Sequence, residues 1–297
     1  MIFAIIIGIV LLTASVTGYL IHQLQRQSTP ALTHSDTLRL IGSGILAFMS
    51  DTLGVGSFAV NIALAKILGT FEDEELPAMC NIVQLIPGAI ESLFFMKYVA
   101  VDLTTLAVLI LGTCIGGLLG GRIVSRLSKQ AIRLAMILCF SFIIILLVSN
   151  QYHLLPVGGD AMALYSWKLA IGFLSLIVCG ALTSVGVGLF AMVQGVLFLL
   201  SMSPLVAFPI MMAAGAMQQP LTAVMFLRQS KNLPLKRMLI LSLGGCVGVL
   251  LTLPVFNYIT LSWLHNLLIF ILCFNLVAMS RAFLLARGAD MDVLIES

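Results

Sequence analysis

Between Lys168 and Arg228 the chain carries no charged side chain at all. Average soluble chains are about a quarter charged; here 9% of 297 residues are charged and 61% are hydrophobic. The mean hydropathy is +1.15. The solvent for such a chain is a lipid bilayer. In lipid every backbone polar group must be paired internally, so the expected fold is an all-α polytopic membrane protein. No strand alternation and no soluble domain are visible, and 1–297 reads as a single membrane domain.

Apolar runs of about 20 residues are candidate spans. Seven occur, at 2–21, 78–96, 103–124, 132–148, 205–227, 238–256 and 261–279. The first lacks the basic start and small-residue cleavage site of a secretory signal and reads as a retained helix, an extra N-terminal element over 1–22. Two runs, 38–68 and 169–200, are too long for one span, and each is interrupted by Gly-Val-Gly near its middle.

Charge settles how the interrupted runs are threaded, since short basic loops stay in the cytoplasm. The turn with Arg122, Arg126, Lys129 and Arg133 is cytoplasmic by this rule, as are the turn with Arg228, Lys231, Lys236 and Arg237 and the tail with Arg281 and Arg287. Loop 150–166 has no Lys or Arg and belongs outside. A single crossing by 169–200 would put Arg228 outside. A re-entrant hairpin of two helices of roughly 13–15 residues, each about 20 Å long, puts every basic turn inside. The same logic makes 38–68 a hairpin opening to the cytoplasm, with Lys97 a mild exception and the acidic run 72–75 a solvated loop.

The two interruptions are alike. Leu-Gly-Val-Gly-Ser-Phe-Ala-Val (53–60) matches Val-Gly-Val-Gly-Leu-Phe-Ala-Met (185–192), with Gly54 and Gly186 lying 132 residues apart. The same offset aligns Leu-Gly-Thr-Cys-Ile-Gly-Gly-Leu-Leu (111–119) with Leu-Gly-Gly-Cys-Val-Gly-Val-Leu-Leu (243–251). The chain is expected to be a duplication, repeat 1 over 38–149 and repeat 2 over 168–284. Each repeat holds one hairpin and three spans, so the second copy is inverted. Inverted repeats with broken helices are the architecture of many secondary transporters.

With these halves, each opening on a glycine-rich broken segment, the chain resembles the sulfite exporter TauE/SafE family of membrane permeases from about residue 38 to 279. The family signature is a Gly-x-Gly-Gly-Gly run early in each half; here Gly54–Ser57 and Gly186–Leu189 lack its third glycine. The resemblance implies movement of sulfur-containing anions such as sulfite and organosulfonates. It carries over Gly54, Gly56, Gly186 and Gly188 as motif positions.

The residues themselves point the same way. Gly54-Val55-Gly56 and Gly186-Val187-Gly188 free the backbone at the hairpin tips. The helix that follows then starts inside the membrane with unpaired N–H groups and a positive dipole end, an anion site. Ser57, Thr183 and Ser184 add hydroxyls. Asp51 has two open roles, a cap on the second half-helix or a proton-coupling group; its repeat partner is Thr183. On 78–96, Asn81, Gln84, Gly88, Glu91 and Ser92 share one face, with Pro87 breaking the helix nearby. Gln218 and Gln219 occupy comparable depth in repeat 2. These faces are candidate cavity walls, and Glu91 reads as either a proton relay or a surface residue. The glycine ladders Gly112-Gly116-Gly120 and Gly244-Gly248 read as helix contacts, and Met211, Met212 and Met217 as filler.

Other classes fit less well. The net charge of +3 is scattered and suggests no nucleic acid partner, and the six cysteines form no CxxC pair, so neither metal nor disulfide is expected. The four histidines lie in loops or at span ends, leaving no base for an intramembrane serine enzyme. No second mid-membrane aspartate accompanies Asp51. The expected reading is a permease without cofactor, multi-pass in a prokaryotic cytoplasmic membrane, taking a small anion and coupled to a proton or other ion gradient. An anion channel or a permease for a different small solute is the alternative, an enzyme a more distant one. Association into a homo-oligomer is left open.

Overall fold

The computed structural model describes residues 2–27, 31–95, 102–152, 154, 159–230, 232–254 and 264–296. Lys97, His153 and Lys231, used above as topology or catalytic markers, lie outside the described residues. The described chain is helical: α1 (Ile2–Arg26), α2 (His34–Thr52), α3 (Ser57–Leu68), α4 (Leu76–Val83), α5 (Leu85–Phe95), α6 (Leu103–Val124), α7 (Lys129–Gln151), α8 (Ser166–Thr183), α9 (Leu189–Leu199), α10 (Pro204–Gln229), α11 (Leu235–Thr252) and α12 (Leu264–Glu296). Seven of them (α1, α6, α7, α8, α10, α11 and α12) are long and apolar enough to cross a membrane, or eight spans if α4 and α5 count as one bent pair.

Both interrupted runs break where the glycines fall, but the arms are unequal. The first arms have 19 and 18 residues (α2, α8) and the second 12 and 11 (α3, α9). At 1.5 Å per residue a first arm reaches about 27 Å, nearly a full crossing, and a second arm about 17 Å. The physical reason is a seam that the first arms share with a neighbour. Along α6 and α8, Gly112 meets Phe173, Gly116 meets Ile177 and Gly120 meets Ala181, so the two run parallel. A Cβ at Gly116 would lie 2.0 Å from the Ile177 carbonyl oxygen, so the backbones approach as only glycine permits. Along α2 and α11, Gly244 meets Ile41 and Gly248 meets Ile45 in the same sense. The opposite face of α6, with Leu111, Ile115 and Leu119, is exposed and apolar, as a lipid-facing stripe must be.

The helix expected at 78–96 is two helices, α4 and α5, bent by 43° at Gln84. Pro87 has no N–H to give to the carbonyl of Val83 and crowds it, the usual cause of a sharp kink. The bend turns Gln84 and Glu91 toward the centre of the bundle, where both are buried. α10 holds Pro209 and Pro220 yet continues unbroken through 26 residues. α7 packs on α12, α10 fills the middle against α5 and α6, and α1 lies outside against α10 and α5.

Candidate functional site

The first hairpin turn is built by two backbone bonds and two left-handed glycines. Gly54 N–H donates to the Asp51 carbonyl at 2.8 Å and Val55 N–H to that of Ser50 at 2.9 Å. Gly54 and Gly56 stand at φ +89 and +91, where an L side chain is strained. The chain thus reverses fast enough for Asp51 to reach the start of α3. Its Oδ1 accepts the Ser57 N–H at 2.8 Å, and its Oδ2 accepts the Ser57 hydroxyl at 2.8 Å and the Gln84 amide at 2.6 Å. The Ser57 hydroxyl also lies 2.6 Å from Gln84 Oε1, so its one proton serves two acceptors. Beside this group the Thr52 hydroxyl donates to Glu91 at 2.6 Å. All five side chains are buried.

The second turn follows the same course with different chemistry. Gly186 takes φ +103 and its N–H donates to the Thr183 carbonyl at 3.0 Å. The Thr183 hydroxyl, however, turns back to the Cys179 carbonyl at 2.8 Å. No side chain caps α9, and Leu189 stands where Ser57 stands in the first repeat. The start of α3 is therefore occupied by a carboxylate of the protein, and the start of α9 is not.

The two helix starts face one cavity. Gly56, Ser57 and Phe58 form one wall and Gly188, Leu189 and Phe190 another. The bent α4–α5 segment supplies Gln84, Gly88 and Glu91, while α10 supplies Met211, Met212, Gly215, Ala216 and Gln219. No described lining residue is Lys, Arg or His. The Gln219 amide, 6% exposed, makes no hydrogen bond to another described residue. Its room comes from Gly88, where a Cβ would sit 3.2 Å from Gln219 Oε1. The space open to the centre of a water-sized sphere is about 20 Å³, room for about one water. A second cavity, about 40 Å³ by the same measure, lies beyond the first turn between Gly54, Val55, Leu147, Leu268 and Leu272.

Of the site residues expected from sequence, Asp51, Gly56, Ser57, Gln84, Glu91, Gly188 and Gln219 line the first cavity, and Gly54 and Val55 line the second. Thr183, Ser184, Gly186, Val187, Asn81 and Gln218 line neither. Asn81 donates to the carbonyls of Pro77 (2.8 Å) and Thr183 (3.4 Å), and the Ser184 hydroxyl donates to that of Gly117 at 3.3 Å. Gln218 donates to Thr222 at 2.5 Å and crowds Gly117. Phe58, Phe190, Met211 and Met212 were not anticipated as walls; their only mark in the sequence is adjacency to the turns and to Gly215-x-x-x-Gln219.

At one end of the bundle lies a charged cluster. Asp73 accepts from Lys66 and, at 2.6 Å, from Arg133; Lys129 pairs with Glu72 at 3.1 Å, and Arg237 donates to the Thr70 carbonyl at 3.0 Å. Asp73 is 4% exposed, so the acidic run is not the wholly solvated loop expected of it. Burial opposes its ionisation, but the hydrogen bonds and charges of Lys66 and Arg133 outweigh that and hold its carboxyl below the usual carboxylate range.

Residues 1–147 match the family model described as sulfite exporter TauE/SafE. Over these residues, just under half of the chain, it is similar to the TauE/SafE family. TauE/SafE proteins are membrane transporters for sulfite or related anions, not enzymes. The matched half contains the first turn, Asp51, Gln84 and Glu91. Comparison with curated proteins and with solved structures gives no match.

Proposed function

We propose that the chain is a secondary transporter for a small anion, a sulfur oxyanion such as sulfite or an organosulfonate. One observation carries the reading: two helix starts from two different hairpins face one small cavity, and that of α9 has no side-chain cap. Uncapped N–H groups and the dipole end attract negative charge. Gln219 adds a buried amide with no hydrogen bond to another described residue. The anion sits at α9 against Gln219, its apolar part on Phe58, Phe190 and Met212. Asp51 and Glu91 line the same cavity with no Lys, Arg or His among its described lining residues, which favours a proton as coupling ion. A cavity of single-water size favours alternating access over an open channel.

The reading includes the topology. The charged end with Lys66, Asp73 and Arg133 faces the cytoplasm by the positive-inside rule, in a prokaryotic cell membrane. The halves over 38–149 and 168–284 are inverted repeats. In support, contacts exchange between them: α2 packs on α11 while its counterpart α8 packs on α6, the counterpart of α11.

The test is uptake into proteoliposomes of sulfite, methanesulfonate and sulfate, with and without a pH gradient. The wild type is expected to move at least one sulfur anion faster with the gradient. Gln219→Leu is expected to slow it about tenfold or more, the worth of one hydrogen bond to a charged group. No flux of any anion, or a Gln219→Leu rate equal to wild type, would sink the reading.

A further inference from the structure

From the first cavity a line of buried amides continues toward the charged end. Asn61 lies one turn along α3 from Ser57 and Phe58, toward Lys66. Asn81 lies one turn before Gln84, toward the acidic loop. Gln218 follows Gly215 by one turn of α10, toward Arg228. All three are buried, at 2%, 0% and 0% exposure. Both polar atoms of Asn61, Oδ1 of Asn81 and Oε1 of Gln218 have no partner among the described residues. Leaving a buried donor or acceptor unpaired is costly, and native structures avoid it. Asn61 is unpaired whichever way its amide is turned.

One of the amides bonds the turn of the second hairpin, and the other two adjoin residues that touch it. Asn81 is bonded to the Thr183 carbonyl. Gln218 crowds Gly117, whose carbonyl also holds the Ser184 hydroxyl. Asn61 adjoins Ile62, and a Cβ at Gly186 would sit 3.7 Å from Ile62, 3.6 Å from Pro77 and 3.0 Å from Met136. Pro77 begins α4, and Met136 lies one turn beyond Arg133 in α7. The turn is thus wedged among α3, α4 and α7 close to the charged end.

We propose that Asn61, Asn81 and Gln218 line an inner passage from the cavity to the charged face, and that the 183–188 turn is the gate that closes it here. Withdrawal of the turn wets the three amides, giving their free oxygens to water and the Asn61 Nδ2 donor to water or to the passing anion. This rests on the transporter reading above. It also gives Thr183, Ser184, Gly186 and Val187 a place in the mechanism without contact to a bound anion.

Single cysteines at the three positions, in full-length protein with the six native cysteines replaced, test the passage. Proteoliposomes are treated with a charged, membrane-impermeant thiol reagent added on the side of the charged face. Asn61→Cys, Asn81→Cys and Gln218→Cys should react at least about tenfold faster than Leu176→Cys, buried in the α6–α8 seam, and sulfite should change their rates. Reaction no faster than Leu176→Cys, with and without sulfite, would overturn the proposal. Asn61→Leu supplies a second readout. In a purely structural dry core it should raise the unfolding temperature and leave flux alone, which would also count against the passage. In a passage it holds or raises that temperature while sulfite flux falls about tenfold. If wild type moves no anion, the transporter reading fails, and the labelling still decides whether the passage exists.

Discussion

Asp51 caps a helix that begins six residues later, and it does so because two left-handed glycines bring the chain back on itself. Its oxygens take three donors, so removing it strands the Ser57 N–H and the Gln84 amide. Asp51→Asn keeps a carbonyl oxygen for the Ser57 N–H and loses the titratable group. It should cost about 1–2 kcal/mol, seen as an unfolding temperature a few degrees lower in detergent. The decisive readout is transport: Asp51→Asn should abolish the stimulation of sulfite uptake by an imposed pH gradient. A variant with full stimulation would leave Asp51 as a cap alone. The acid, the glycines and the capping logic were legible in Asp-Thr-Leu-Gly-Val-Gly-Ser. The asymmetry with the second turn was not. The repeat alignment sets Thr183 against Asp51, but a hydroxyl in a last helical turn finds the carbonyl four residues back, here that of Cys179. Gln84 and Gln219 could be read from their helix faces, whereas Gln218, one residue away, points into a seam.

At the scale of elements, the long first arms follow from the glycine seams. Charge parity bears on how many times the chain crosses, and it says nothing of where within a run the turn sits. The parallel contact of α8 with α6 runs from Gly112 to Gly120 and draws α8 almost to the charged end. The small-residue ladder was visible in the sequence; its partner was not, because lipid-facing leucines on the other side of α6 look like any apolar core. Gly116→Leu should therefore separate α6 from α8 and leave little monodisperse protein after extraction, measured by fluorescence size-exclusion chromatography. Gly42→Ala, where a Cβ meets nothing within 4 Å, should elute like wild type. A Gly116→Leu profile equal to wild type would mean that the seam is not close-packed.

For the whole molecule, the contact pattern and the charge pattern make separate statements that must agree. α2 with α11 and α6 with α8 are exchanged by swapping the halves, and α7 with α12 maps onto itself. α1 has no counterpart, and it packs against one side of α10 and α5. The loop after α3 carries the Asp73 cluster. The loop after α9 is instead tied to 159–161: Gly159 N–H donates to the Met202 carbonyl and Ser203 N–H to that of Ala161. α10 separates the two ends. It starts beside the second loop and finishes at Gln229, which accepts from Arg126 at 2.9 Å. Its 26 residues span about 39 Å, more than the roughly 30 Å of a hydrocarbon core. On the proposed topology the two loops lie on opposite sides of the bilayer, with the Lys and Arg around Asp73 on the cytoplasmic side by the positive-inside rule. Glu74 and Asp160 are both exposed and serve as reporters. In a cysteine-free background, Asp160→Cys should react with an impermeant thiol reagent on intact cells, and Glu74→Cys only after permeabilisation. Labelling of both from the outside would rule out hairpins entering from opposite sides. The shared cavity would then have to be reached from one face alone, and the 183–188 turn could not be a gate to the cytoplasm.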